Sequence, residues 1–135
     1  MNNPRTEAML TSYRSAGLSG VVQDASPHRL IALLLEGALA RLAAARGAIE
    51  TSDLDQKGRM IGSAISIVAA LRGCLDARAG SDVAVNLESL YEYMNRRLLD
   101  ASVRNERAAV DEVIGLLREV SAAWEAIPAV TARAA

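Results

Sequence analysis

Residues 25–50 read ASPHRLIALLLEGALARLAAARGAIE, and this stretch decides the fold class. Near its start stands Ser26, a residue type whose side chain accepts a hydrogen bond from the free amides of a helix N-terminus. Pro27 follows, and its fixed φ suits the first helical position. The remaining residues are mostly Ala, Leu and Arg, which lose little side-chain entropy in a helix. The stretch therefore predicts a long helix from Pro27 to about Glu50.

Three more helices are expected downstream, because no proline occurs between Pro27 and Pro128. Asp53 offers the next N-cap, Gly80 ends the second helix, and Pro128 stops the fourth. The predicted ranges are 54–78, 82–104 and 106–127. Helices of similar length with short connections pack as antiparallel neighbours. The expected fold is all-α, an antiparallel up-down four-helix bundle with a short N-terminal helical cap segment.

The domain organisation follows from where the apolar periodicity begins and ends. Residues 1–24 are predicted to form a flexible cap segment, with a possible short helix over about 5–13. Residues 25–128 form the bundle, and 129–135 are a frayed C-terminal tail. At 51% hydrophobic and 23% charged residues, the composition is that of a folded domain.

Charge and cysteine content exclude several classes of protein. The formal net charge is -1, with acidic residues interspersed among the basic ones, so no nucleic-acid partner is expected. The single cysteine, Cys74, cannot form an internal disulfide, which favours a reducing compartment. We see no signal peptide and no apolar run long enough for membrane insertion, so the expected location is the cytoplasm.

Catalytic residues are scarce in this sequence. His28 is the only histidine and lies at a helix start, so no zinc site or phosphotransfer site can be assembled around it. Cys74 stands between Leu71 and Leu75 and is expected to be an inert core thiol. The glycines are scattered and form no phosphate-binding loop. We therefore expect neither an enzyme nor a cofactor.

The helices carry more apolar residues than one buried stripe requires. Three explanations remain open: the N-terminal segment covers the surplus, two copies form a homodimer, or the surplus accepts partner helices. The residues outside the predicted stripes are Leu30, Leu33, Leu34, Met60, Ile67, Tyr91 and Leu99.

Three blocks resemble the flagellin-specific export chaperones, the FliS family. Tyr13 and the stretch ASPHRLI at 25–31, followed by LLEGAL at 34–39, are similar to the family's leader tyrosine, its A-S-P-x-x-L-I and its L-Y-D-G-A-L. NLESLYEYMNRRLL at 86–99 is similar to its N-L-x-x-L-Y-x-Y-M-x-x-R-L. The block that begins VIGLLREV at 113–120 and reaches Trp124 is similar to its closing helix. One departure is Leu35-Glu36 in place of the usual Tyr-Asp, which removes the tyrosine hydroxyl.

The resemblance implies a cytosolic chaperone that binds the disordered C-terminal region of flagellin. Such proteins prevent premature polymerisation and assist delivery of flagellin to the gate of the flagellar type III export apparatus. The client becomes helical in a groove on the outside of the bundle, and the N-terminal segment covers part of that surface until the client arrives.

The residues expected to serve this function form two groups. The displaceable cap contains Leu10 and Tyr13. The client groove contains Leu30, Leu33, Leu34, Met60, Ile67 and Tyr91, with Arg96 and Arg97 as contacts for client carbonyls or acidic groups. A structural or adaptor bundle with another partner, and an oligomerising bundle, are the alternatives. Failure to bind flagellin, or a concentration-dependent mass, would identify them.

Overall fold

The computed structural model describes residues 26–75 and 81–127, and within them it contains four α-helices and no strand. Helix α1 spans Pro27–Glu50, α2 spans Leu54–Gly73, α3 spans Asp82–Arg104 and α4 spans Arg107–Glu125. The all-α four-helix prediction is confirmed. The cap segment at 1–24 and the tail at 129–135 lie outside the described residues.

Local chemistry sets the starts of the first three helices. Ser26 accepts a hydrogen bond from the amide of Arg29 at 3.2 Å, with Pro27 in the first turn. Asp53 caps α2 by accepting from the Gln56 amide at 3.1 Å, and Ser81 caps α3 in the same way. These contacts satisfy amides that have no partner inside a helix.

The helices form a four-membered ring in which neighbours run antiparallel. Helix α1 packs on α2 and α4, and α3 packs on the same two helices. The start of α1 meets the end of α4 through His28 and Trp124, whereas its end meets the start of α4 through Glu50 and Arg107. Within the described ranges, helices on opposite corners of the ring make no contact.

The core is aliphatic and rich in alanine. Alanines at close helix–helix approaches leave room for the larger side chains of the next layer. The fully buried large side chains include Leu30, Leu34, Leu35, Leu42, Ile61, Ile67, Met94, Leu98 and Leu117.

Two predictions about the helices are wrong. Helix α2 ends at Gly73, so Cys74 and Leu75 form a turn and pack against the core instead of continuing the helix. The other error concerns Val83, for which the spacing to Leu87 and Leu90 predicts a place on the buried stripe of α3. Its side chain is instead 69% exposed. Helix α4 also begins and ends slightly inside its predicted bounds.

Lys57, the only lysine of the chain, is buried at the junction of α2 and α3. Its Nζ atom donates to the carbonyl oxygen of Ser102 at 2.9 Å and to Oδ1 of Asn105. Asn105 is the left-handed C-cap of α3, with φ 55°. The ammonium group therefore lies at the negative end of the α3 dipole, where a cation is favoured.

Candidate functional site: the outer face of α2 and α3

Exposed large apolar side chains are concentrated on α2 and α3. Among the described residues there are five, all on these two helices: Leu54 59%, Val83 69%, Val85 56%, Leu99 55% and Val103 80%. Single exposed apolar residues are common on protein surfaces, but a group on one side of a bundle indicates a contact surface.

Helical spacing places most of these side chains on one side of α3. Leu99 and Val103 are four residues apart and are neighbours on the helix surface. Val85 lies eighteen residues, or five turns, before Val103 and points in the same direction. Tyr91, Met94 and Leu98 form the opposite, buried side.

The adjoining side of α2 is built from small residues. Exposed small residues recur at intervals of three or four positions, which keeps them on one side of the helix. They are Gly58, Gly62, Ser66, Ala69 and Gly73. No atom lies within 4 Å of the position that a Cβ would take at Gly58 or Gly62. We call the surface formed by this row together with Leu54, Val85, Arg96, Leu99 and Val103 the α2–α3 face.

A groove deepens the α2–α3 face toward the end where α2 stops and α3 starts. Its volume is about 480 Å³, and its lining includes Ala69, Gly73, Leu75, Ala84 and Val85. Polar contacts hold the two helices together beside it. Arg72 pairs with Glu88 at 3.2 Å and Glu92 at 3.8 Å.

Asn95 makes a further contact beneath this groove. Its Nδ2 donates to the carbonyl oxygen of Ile65 at 3.3 Å, which ties α3 to α2. Its Oδ1 is buried and has no hydrogen-bond partner among the described residues. The groove therefore combines apolar side chains with the polar groups of Arg72, Glu88 and Asn95, an arrangement that suits an amphipathic partner.

The junction of α3 and α4 is ionic instead. Arg97 Nε lies 2.7 Å from one oxygen of the Glu112 carboxylate, and the Tyr93 hydroxyl donates to the other at 2.7 Å. Hydrogen bonds from Arg97 and then Tyr93 hold the pKa of Glu112 below its usual range. The bond to Glu112 raises the pKa of Tyr93. Asp100 and Glu106 also lie 3.5 Å from Arg97, so its charge is fully matched within the protein.

Four of the predicted groove residues lie in the core. Leu30, Leu34 and Ile67 have no exposed surface, and Tyr91 is 3% exposed. Burial, with a smaller contribution from Cys74, raises the pKa of the Tyr91 hydroxyl to about 12. In the described structure these four side chains stabilise the bundle and present no surface to a partner.

The other predicted residues do not converge on one place. Leu33 of α1 and Met60 of α2 are half-buried against the core. Arg96 is exposed on the α2–α3 face, whereas Arg97 belongs to the α3–α4 junction. Leu10 and Tyr13 lie outside the described residues.

Leu54, Val85 and Val103 of this candidate site are not among the residues that the sequence predicts for it, and Leu99 is predicted only as a surplus apolar residue. Their signal in the sequence is an apolar residue that falls outside the buried stripe of its helix. Val103, two residues after the buried Ala101 and so on the opposite side of α3, shows it most clearly. Leu35, which stands where the family usually has tyrosine, is fully buried in the core.

No group of three or more His, Cys, Asp or Glu side chains in the described ranges could hold a metal ion. None of the four helices is long and apolar enough to cross a membrane.

Known proteins of similar sequence belong to the family that the three quoted sequence blocks resemble. The family model described as "Flagellar protein FliS" matches residues 9–131. The chain is 46% identical over 118 residues to the flagellar secretion chaperone FliSB of Pseudomonas aeruginosa, which covers 87% of this chain and 94% of that protein. It is 40% identical over 123 residues to the flagellar secretion chaperone FliS of Salmonella typhimurium, with 90% and 91% covered.

A third relative, the flagellar secretion chaperone FliS of Vibrio cholerae, is 34% identical over 119 residues, or 88% of each chain. These names describe a chaperone and not an enzyme. The match extends over nearly the whole bundle and includes both the Ser26-Pro27 helix start and the α3 block. The chain therefore belongs to the FliS family of flagellar secretion chaperones.

Proposed function

We propose that this protein binds the C-terminal segment of flagellin in the cytoplasm, keeps it from polymerising and assists its delivery to the flagellar type III export apparatus. The observation that carries the proposal is the α2–α3 face, since a chaperone needs apolar surface that its own fold does not bury. Contact with the export gate is proposed to occur through the complex with flagellin.

The physical requirement on such a surface is substantial. A disordered segment that orders on binding loses conformational entropy, so its contacts must bury a large apolar area. Leu99 and Val103 supply aliphatic side chains at helical spacing, and the small residues of α2 beside them let another backbone come close. A client helix laid along this surface would cover both at once.

The role of the N-terminal segment is a second part of the proposal. Leu10 and Tyr13 would cover client-binding surface in the free chaperone and be displaced when flagellin binds. Replacing Tyr13 with alanine should change the affinity for flagellin and leave the helical content of the bundle intact. Loss of folding with unchanged affinity per folded molecule would contradict this role.

Calorimetric titration with the C-terminal segment of flagellin from the same organism tests the main proposal. We expect saturable one-to-one binding with a negative heat-capacity change, and circular dichroism should show more helix in the mixture than in the sum of its parts. A folded monomer that does not bind would refute the proposal. A homodimer that buries the α2–α3 face would replace it, and sedimentation at several concentrations would reveal such a dimer.

A further inference from the structure

Arg96 lies on the part of the α2–α3 face that α3 contributes. It lies three residues before Leu99 and seven before Val103, so the three side chains share one side of α3. The side chains of Leu99 and Val103 are 55% and 80% exposed, and Arg96 is exposed as well. The Arg96 side chain therefore adjoins exposed aliphatic surface on this helix.

The usual helical partners of Arg96 are paired with other residues. Glu92 and Asp100 lie one turn away on either side, where an acidic side chain normally pairs with an arginine. Glu92 instead lies 3.8 Å from Arg72, and Asp100 lies 3.5 Å from Arg97. Among the described residues Arg96 makes no ion pair or hydrogen bond.

A partner that covers Leu99 and Val103 must also remove water from this guanidinium. An arginine that is desolvated without a counter-charge is costly, whereas the same desolvation strengthens an ion pair with a carboxylate. A guanidinium also binds a carboxylate through two parallel hydrogen bonds, which fixes the position of the partner. Charge complementarity therefore predicts a carboxylate on the partner that covers Leu99 and Val103.

We propose that Arg96 receives a carboxylate of the bound client, so that the segment docked on the α2–α3 face is an amphipathic helix with an acidic side chain beside aliphatic ones. This inference rests on the proposed function and adds to it the recognition chemistry of the client. Arg96 sets the register of the client helix, and Leu99 and Val103 supply the apolar contact.

Arg118 provides a matched control on another side of the bundle. It is an exposed arginine in the middle of α4 and, in the described part of the chain, has no ion pair or hydrogen bond either. The residues three and four positions away from it are Ile114, Gly115, Ser121 and Ala122. Ile114 is buried in the core, so no exposed large apolar side chain adjoins Arg118 on its own helix. A charge change at Arg118 alters net charge equally without touching the α2–α3 face.

The test compares Arg96→Glu and Arg118→Glu in the full chain by calorimetric titration with the flagellin C-terminal peptide. We expect Arg96→Glu to weaken binding at least about tenfold and Arg118→Glu by less than about twofold. Arg96→Gln, which adds no repulsion with Glu92 or Asp100, should weaken binding by an intermediate factor. A peptide whose acidic residues are changed to lysine should bind Arg96→Glu better than it binds the unchanged protein. Thermal unfolding checks that each variant is folded.

Two results would overturn the inference in distinguishable ways. If the unchanged protein binds the peptide and Arg96→Glu binds it equally well, the assignment of Arg96 is wrong while the proposed function stands. If the folded, unchanged protein does not bind the peptide at all, the proposed function fails and this inference fails with it. If the unchanged protein sediments as a dimer and Arg96→Glu sediments as a monomer, the α2–α3 face is a homodimer interface. That result would overturn the assignment of Arg96 to the client.

Discussion

The rings of His28 and Trp124 stack with centroids 4.9 Å apart and an angle of 16° between their planes. The indole Nε1 donates to the carbonyl oxygen of His28 at 3.0 Å, and His28 Nε2 lies 3.3 Å from the carbonyl oxygen of Trp124. Ninety-six positions separate the two residues, which are the only histidine and the only tryptophan of the chain. This reciprocal contact joins the first turn of α1 to the last turn of α4.

Trp124→Phe tests how much this contact stabilises the bundle. Phenylalanine retains a ring that can stack but has no N–H donor, so the His28 carbonyl loses a hydrogen bond. We expect the free energy of unfolding to fall by about 1 kcal/mol, with helical content unchanged. Urea unfolding followed by circular dichroism measures it. A double-mutant cycle with His28→Ala should give a coupling free energy of about 1 kcal/mol. A coupling of zero would show that the contact between the two side chains does not stabilise the fold.

Lys57→Met tests the buried ammonium group between α2 and α3. The substitution keeps the length of the side chain but leaves the Ser102 carbonyl and Asn105 Oδ1 without their donor. We expect a loss of about 2 kcal/mol, because hydrogen bonds from a charged donor contribute more than those between neutral groups. Urea unfolding gives the value.

Arg59→Met is the control for Lys57→Met. Arg59 lies two residues away and is 66% exposed, and it pairs with Asp55 at 3.4 Å. Its removal should cost less than about 0.5 kcal/mol, as is usual for a surface ion pair. Equal losses in the two variants would mean that the burial of Lys57 has no special consequence.

The start of α1 could be predicted from the sequence because it depends on local chemistry. A serine followed by a proline specifies a helix start whatever the rest of the chain does, and the observed cap is the expected one. The sequence predicts the end of α2 too late, because Gly80 adjoins an obvious turn while Gly73 lies within an apolar periodic run. The helix ends at Gly73, and Leu75 just beyond it packs against the core.

The buried arc of α1 shows a second limit of sequence reasoning. The spacing of Ile31, Leu35, Ala38, Leu42, Ala45 and Ile49 predicts one buried stripe on α1. Leu30 and Leu34, outside that stripe, are nevertheless fully buried, while Ile31 and Ile49 are half-buried. Helix α1 packs on both α2 and α4, so its apolar arc is wide. The periodicity of apolar residues predicts that α1 has a buried arc. Which residues lie at the edges of that arc depends on where the two neighbouring helices pack.

Arg96 and Arg97 show the same limit at the candidate site. They are adjacent in sequence and about 100° apart around α3. Arg97 points to α4 and its carboxylates, and Arg96 points away from them. Nothing in the sequence says on which side of α3 the fourth helix lies, so the two could not be separated before the fold was known.

Glu112→Gln should give a pH-dependent loss of stability. The pKa of this carboxyl is lowered in the folded protein by Arg97 and Tyr93. A lowered folded pKa contributes stability that is complete above the unfolded pKa and disappears as the pH falls through the folded pKa. The variant should therefore be less stable than the unchanged protein at pH 7, by at most about 1 kcal/mol for such an exposed network. The difference should vanish in acid.

Urea unfolding at a series of pH values from neutral to below the usual pKa of glutamate measures this difference. Glu119→Gln is the control, because Glu119 is exposed on the same helix and forms no ion pair in the described part of the chain. Its effect should be small and nearly independent of pH. A Glu112→Gln effect that stays constant into acid would contradict the assigned pKa direction.

Gly62→Leu and Gly115→Leu separate the stability of the bundle from its binding function. Both glycines are exposed inside helices, and no atom lies within 4 Å of a Cβ added at either position. Glycine destabilises a helix interior because of its backbone freedom, so each substitution should raise the free energy of unfolding by about 0.5–1 kcal/mol. Thermal unfolding of the two variants should show similar gains.

Binding to the flagellin C-terminal peptide should distinguish them. The side chain added at Gly62 lies on the α2–α3 face, between α2 and the space in which a client helix would lie. Calorimetry should therefore show affinity at least about tenfold lower for Gly62→Leu, because overpacking a close contact costs on the order of 1–3 kcal/mol. Gly115 is on α4, away from this face, so Gly115→Leu should bind within about twofold of the unchanged protein. A stabilised Gly62→Leu variant that binds flagellin normally would place the client elsewhere on the bundle.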